Sequence, residues 1–165
     1  MAKRGPEVFD FAKDYGTLDY TNAVVLDIGA DFGSSPAFFL SKGAKHVIAC
    51  ECDPAWYQRL EDWAKGQPVT VVGEVTPENI GTLVEQADVV KVDCEGCEAM
   101  LPTLPAATLK GPRAWVLETH TVPLYDTLTQ LFKRLGYTVH LVRDHGGPNS
   151  SGKVCRVWTA TRSHA

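Results

Sequence analysis

The sequence predicts an α/β fold built on a mostly parallel sheet of about seven strands. From Asn22 onward, short β-branched runs alternate with stretches of helical periodicity, the pattern of parallel strands joined by crossover helices. The boundaries between them carry Pro, Gly and capping residues, and 165 residues suffice for one domain with a proper core. Residues 22–165 are read as that domain and residues 1–21 as an N-terminal helical segment, a single domain overall.

Strand one is Ala23 to Ile28, followed by a Gly-containing turn and a helix from Ser35-Pro36 to about Lys42, with Ser35 as cap and Gly43 as stop. His46 to Glu51 is strand two. Asp53-Pro54 then caps and opens a helix carrying Trp56, Leu60 and Trp63 at helical spacing, closed by Gly66 and Pro68. Val69 to Val72 is strand three, and Thr76-Pro77 opens a helix to about Glu85. Asp88 to Asp93 is strand four, with a short helix near Cys97 to Leu101 and a Pro-punctuated loop after it. Ala114 to Glu118 is strand five, and Leu124, Leu128, Leu131, Phe132 and Leu135 mark one face of a helix stopped by Gly136. Tyr137 to Val142 and Val154 to Ala160 are the final strands. The Gly-, Pro- and Ser-rich loop between them, His145 to Gly152, is expected to be mobile, with a lid over substrate as the functional alternative.

Composition narrows the function. Hydrophobic residues at 44% and charged residues at 22% fit an ordinary folded domain. A formal charge of -4 has the wrong sign for a protein that binds chiefly through phosphate backbones, so nucleic acid is not favoured. No apolar run is long enough to span a bilayer, and Met-Ala-Lys-Arg-Gly-Pro-Glu lacks a signal peptide's apolar stretch, so the expected address is cytoplasmic with no membrane partner. Five cysteines, an odd number, do not form a secreted disulfide framework.

Parallel sheets bind ligands beyond the carboxyl ends of their strands, and here those positions are rich in acids and glycines. Asp27-Ile28-Gly29-Ala30-Asp31-Phe32-Gly33 has the place of a nucleotide-binding turn, but Asp31 stands where a dinucleotide fingerprint needs its second glycine. A pyrophosphate would be repelled, which removes the dehydrogenase reading, and no Gly-Lys-Ser/Thr offers a P-loop. Glu51, 18 positions after Gly33, ends strand two where a carboxylate can accept from both ribose hydroxyls. An adenosine bearing a cationic substituent fits these acids better than one bearing phosphates.

Together with Val90-Lys91-Val92-Asp93-Cys94-Glu95-Gly96-Cys97-Glu98 and Val116-Leu117-Glu118, these motifs resemble class I S-adenosylmethionine-dependent methyltransferases, and within them the FkbM-type methyltransferases. Two departures stand out: Asp31 where that family usually carries Asn, and Cys94 and Cys97 where Val and Ala are more frequent. The resemblance implies a Rossmann-like three-layer sandwich whose seventh strand is antiparallel. It implies S-adenosyl-L-methionine as cofactor, contacted by Asp27, Gly29, Ala30, Asp31, Gly33, Ser34 and Ser35, by Glu51 and Cys52, by Glu74 and Val75, and by Asp93. Asp27, Gly29 and Gly33 would line the methionine part, the helix near Ser35 would offer amides to its carboxylate, and Glu74 or Val75 would meet adenine. The acceptor is read as an oxygen nucleophile of a small-molecule or glycan-like compound, with His120, Glu118 and Asp93, in that order, as candidate catalytic bases at the strand ends.

Several readings stay open at this level. Lys91, in a central strand, needs a carboxylate beside it, from Asp27 or Glu118, unless it serves substrate directly. His120 is either a general base or an incidental loop residue, and Glu98 reads as simple helix surface. Cys94 and Cys97 could join Cys50 and Cys52 around zinc, pair with each other, or remain as reduced packing residues, the last being expected. Asp93, Glu95 and Glu118 could instead gather magnesium or calcium. An RNA methyltransferase would draw on Lys110, Arg113, Arg143, Lys153, Arg156 and Arg162; a non-catalytic cofactor-binding or interaction domain and a homodimer also remain open.

Overall fold

The computed structural model describes residues 10–144 and 154–163. Its seven strands are β1 (Val24–Ile28), β2 (His46–Cys50), β3 (Val69–Val72), β4 (Val89–Val92), β5 (Ala114–Thr119), β6 (Thr138–Asp144) and β7 (Arg156–Thr161). They form one sheet in the order β3-β2-β1-β4-β5-β7-β6, with β7 antiparallel to both neighbours and every other pairing parallel. This is the Rossmann-like arrangement expected from the sequence. The chain reverses its crossover direction between β1 and β4, which opens a crevice at their carboxyl ends.

The helices are α1 (Phe11–Tyr15), α2 (Ser34–Ser41), α3 (Pro54–Ala64), α4 (Ile80–Glu85), α5 (Ala106–Lys110) and α6 (Val122–Arg134), with a 3-10 helix over Cys97–Thr103. Side chains alternate across each strand, so the sheet feeds two separate cores. Leu26, Val90, Val92, Trp115, Leu117 and Trp158 pack with Leu128 and Phe132 of α6. Val25, Val47, Val89, Val116 and Val157 pack on the opposite face with Tyr15, Phe39 and Leu60 of α1 to α3. Among the described residues, no helix is long and apolar enough to cross a membrane.

Helix starts depart from the sequence reading in instructive ways. Only Asp53-Pro54 works as cap plus first residue, the Asp53 carboxylate accepting from Ala55 N at 2.8 Å and Trp56 N at 3.2 Å. Ser35 does not cap α2: its hydroxyl donates to Asp27 at 2.5 Å, and Gly33 in a left-handed conformation starts the helix instead. Thr76-Pro77 opens a turn, in which Asn79 Oδ1 accepts from Thr76 N at 2.8 Å, and α4 begins only at Ile80. The Pro-punctuated loop holds α5, which proline spacing had concealed. The expected loop from His145 to Gly152 lies outside the described residues.

Candidate functional site

A cleft of about 270 Å³ opens at the carboxyl ends of β1 to β4. Seven of the sequence-predicted cofactor residues line it: Gly29, Asp31, Glu51, Cys52, Glu74, Val75 and Asp93. Gly73, Cys94, Glu95 and Cys97, absent from the predicted set, line it too. Glu51 is its best-prepared member. One carboxylate oxygen accepts from Asp31 N at 2.9 Å and the other from Asp53 N at 2.8 Å, which fixes the group where β2 ends. Each oxygen keeps acceptor capacity for a ligand hydroxyl.

The first loop owes its course to two glycines and one aspartate. A side chain at Gly29 (φ +84°) would stand 1.8 Å from the Asp93 carbonyl, so only glycine lets β1 and β4 approach this closely. A Cβ at Gly33 (φ +109°) would meet the Trp63 ring at 2.6 Å, which makes Gly33 a packing position under α3. Asp31 itself has φ +48°, a conformation that Asp and Asn tolerate better than most residues. Asp31 is exposed as a residue, but partial desolvation of its carboxyl at the cleft, opposed by Lys91 and reinforced by Glu51, Asp93 and Asp27, pushes it up to about 6.

Asp27, Ala30, Gly33, Ser34 and Ser35 do not line the cleft. Asp27 is fully buried, and its carboxylate lies 3.0 Å from Lys91 Nζ and accepts from Ser35. Lys91 also donates to the Gly29 carbonyl at 2.6 Å and the Ile28 carbonyl at 3.3 Å, so it braces the first loop from beneath. Burial opposes its charge, but Asp27 and then Asp93 keep the ammonium protonated. The structure thus gives Lys91 the Asp27 partner and not Glu118.

Asp93 faces both the cleft and α1, accepting from the Tyr15 hydroxyl at 3.2 Å. The pattern of a short aromatic helix far upstream gave no hint of that contact. The neighbouring Asp14 pairs with Arg143 of β6 at 2.6 Å, which ties α1 to the sheet.

Glu118 and His120 lie beyond the cleft. His120 borders a second hollow of about 540 Å³, shared with Glu95, Glu98, Thr121 and Leu124. Its Nδ1 is 2.8 Å from Glu98 Oε1, and its Nε2 is 3.7 Å from Glu95 and 3.8 Å from Glu118. Burial works against its charge, yet Glu98 and then Glu118 and Glu95 hold its pKa above the ordinary range. Burial first and Asp93 second push Glu118 up to about 7. Glu98 is not helix surface as the sequence suggested: it is fully buried, accepts from Gly96 N at 2.9 Å and bonds His120.

Cys94 and Cys97 form a disulfide, with Cα atoms 5.6 Å apart. That overturns the expectation of reduced packing cysteines and removes these sulfurs from any zinc site with Cys50 and Cys52. Cys50 is buried beneath the sheet's end and Cys52 is exposed, both as free thiols.

Sheet order, crevice and acid-ended strands define the fold of S-adenosylmethionine-dependent methyltransferases. The precorrin-6y C5,15-methyltransferase of Geobacter metallireducens superposes with a TM-score of 0.62 at 20% identity, over 93% of this chain and 85% of its own. Sp1610 of Streptococcus pneumoniae, provisionally assigned as a tRNA (m1A22) methyltransferase and solved with S-adenosyl-L-methionine, gives 0.62 at 16% identity over 90% and 70%. At these identities the likeness is one of fold. In sequence, Uncharacterized protein 65 of Sulfolobus islandicus filamentous virus (isolate Iceland/Hveragerdi) is 35% identical over 111 residues, 67% of this chain and 68% of its own length. Uncharacterized protein 158B of Sulfolobus islandicus rod-shaped virus 1 is 34% identical over 127 residues, 75% of this chain and 77% of its own. The chain belongs to the family of these two viral proteins. No protein-family profile matches it.

Proposed function

We propose that this chain is an S-adenosylmethionine-dependent methyltransferase acting on an oxygen of a small-molecule or glycan-like acceptor. The observation that carries the reading is Glu51, held by two backbone amides and facing the cleft between Gly29 and Val75. The donor set fits the cofactor: a fixed carboxylate for a ribose diol, and Asp31 and Asp93 for a cationic centre. A phosphate chain would find only like charge along this wall. The FkbM-type likeness rests on the Lys91 to Glu98 motif.

When bound, S-adenosylmethionine supplies an activated methyl group on a sulfonium. Glu51 would hold the ribose, Val75 and Glu74 would border the adenine, and Gly29 would give its backbone close approach. Asp93, fixed by Tyr15, would orient the reactive end, and the Lys91–Asp27–Ser35 network keeps the first loop in place. Holding acceptor and donor in line contributes several kcal/mol of the barrier reduction without a covalent intermediate. Asp93, Glu118 and His120 form the acceptor side.

Proteins named as RNA methyltransferases share the fold, but the four arginines that would contribute to an RNA track are engaged elsewhere. Arg143 pairs with Asp14, Arg156 with Asp144, Arg113 donates to the Asp19 carbonyl, and Arg162 lies over the Tyr137 ring. Calorimetric titration with S-adenosylmethionine, with Glu51→Ala as control, tests the reading. Cofactor heat without methyl transfer to any acceptor class would move it to a non-catalytic binding domain.

A further inference from the structure

Cys155 is the residue the methyltransferase reading leaves without a role, and sheet register explains where it sits. β5 and β7 run antiparallel with Glu118 opposite Val157 and Thr119 opposite Arg156. One step further along the same register, His120 faces Cys155. Alternation places Glu118, two residues before His120, on that same side. The carboxylate, imidazole and thiol donors of Glu118, His120 and Cys155 accordingly lie within 4.8 Å of one another, with His120 and Cys155 each only 5% exposed.

We infer that Glu118, His120 Nε2 and Cys155 form a binding site for a zinc-class divalent metal ion. One nitrogen, one sulfur and one oxygen donor suit a borderline cation better than magnesium or calcium, which take oxygen ligands. The spacing agrees: bonds of 2.0–2.1 Å in a tetrahedron set ligand atoms about 3.3 Å apart, and His120 Nε2 stands 3.8 Å from Glu118 Oε1. A shift of about half an ångström brings that pair to ligand spacing, and the Cys155 thiol lies within 4.8 Å of both.

The second observation is the support behind the histidine. Glu98, fully buried, bonds His120 Nδ1 at 2.8 Å and is itself held by Gly96 N. A carboxylate on the far ring nitrogen fixes the tautomer and turns Nε2 toward a metal, the arrangement that backs metal-binding histidines generally. Glu95 Oε1, 3.7 Å from Nε2 on a side chain that is 73% exposed, supplies a displaceable fourth donor from the solvent side. The other sulfur-containing cluster, Cys94, Cys97 and Glu98, is committed otherwise, to a disulfide and to His120.

Three protein donors with a replaceable fourth is the pattern of a catalytic rather than a structural zinc site. Such an ion would acidify a coordinated hydroxyl and so activate it on the acceptor side. That use rests on the methyltransferase reading; the metal site itself does not. The experiment is a titration of chelator-treated full chain with Co²⁺, followed by displacement with Zn²⁺. The expected result is one equivalent bound, with d–d bands and a near-ultraviolet thiolate-to-cobalt charge-transfer band. Cys155→Ser abolishes that band while circular dichroism shows the fold intact, and Glu98→Gln weakens Co²⁺ binding about 10–100-fold. No uptake by folded protein, or a charge-transfer band that survives Cys155→Ser, overturns the site. S-adenosylmethionine heat, measured on the metal-free chain, separates failure of the metal site from failure of the cofactor site.

Discussion

Asp31 shows how one side chain sets the terms of the first loop. Its positive φ suits Asp or Asn alike, and its charge works against the fold. Because its folded pKa is raised to about 6, its stabilising contribution is complete below about pH 4 and is lost as pH rises through 6. Asp31→Asn therefore melts with the parent protein near pH 4 and at a higher temperature at pH 8. An offset independent of pH would contradict this origin. Lys91 presents the opposite case, a buried charge whose partner is already in place. Lys91→Ala strands the Asp27 carboxylate and costs about 3–5 kcal/mol in urea unfolding. Adding Asp27→Asn recovers part of that loss, since the stranded charge is then gone.

At the scale of elements, α6 and its strands carry the larger core. Phe132 meets Trp115 edge-on at 5.1 Å and Trp158 at 5.5 Å, all three fully buried. Phe132→Ala removes that wedge and lowers the unfolding free energy by about 3–5 kcal/mol, with cofactor affinity retained because Phe132 does not line the cleft. The strands were legible in the sequence because β-branched runs between turn residues have few other uses. Helix starts were less so. Ser35 is a good cap in isolation, but Asp27 takes its hydroxyl, while after Thr76 the Asn79 side chain accepts from the Thr76 amide and builds a turn where a helix start was expected. The acids after β2 and β4 were legible for the same reason as the strands, since position along a parallel sheet dictates what they face. Tyr15 on Asp93, Glu98 on His120 and Cys155 beside Glu118 were not, because each joins residues far apart in sequence through tertiary packing or an antiparallel register.

Over the whole molecule, one sheet gathers two clusters of polar side chains on neighbouring strand ends. The ends of β1 to β4 form the acid-lined cleft, and the junction of β5 with β7 gathers imidazole, thiol and carboxylate. A formal charge of -4 is in keeping with a cationic cofactor, and the arginines proposed for an RNA track instead fasten α1, β6 and β7 to their surroundings. The central claim is that the cleft binds S-adenosylmethionine through Glu51. Isothermal titration calorimetry with S-adenosylmethionine tests it most directly. The account predicts one cofactor per chain and an affinity at least about tenfold weaker in Glu51→Ala, in line with the loss of charge-assisted hydrogen bonds. Absence of binding heat up to millimolar cofactor on folded protein would contradict it.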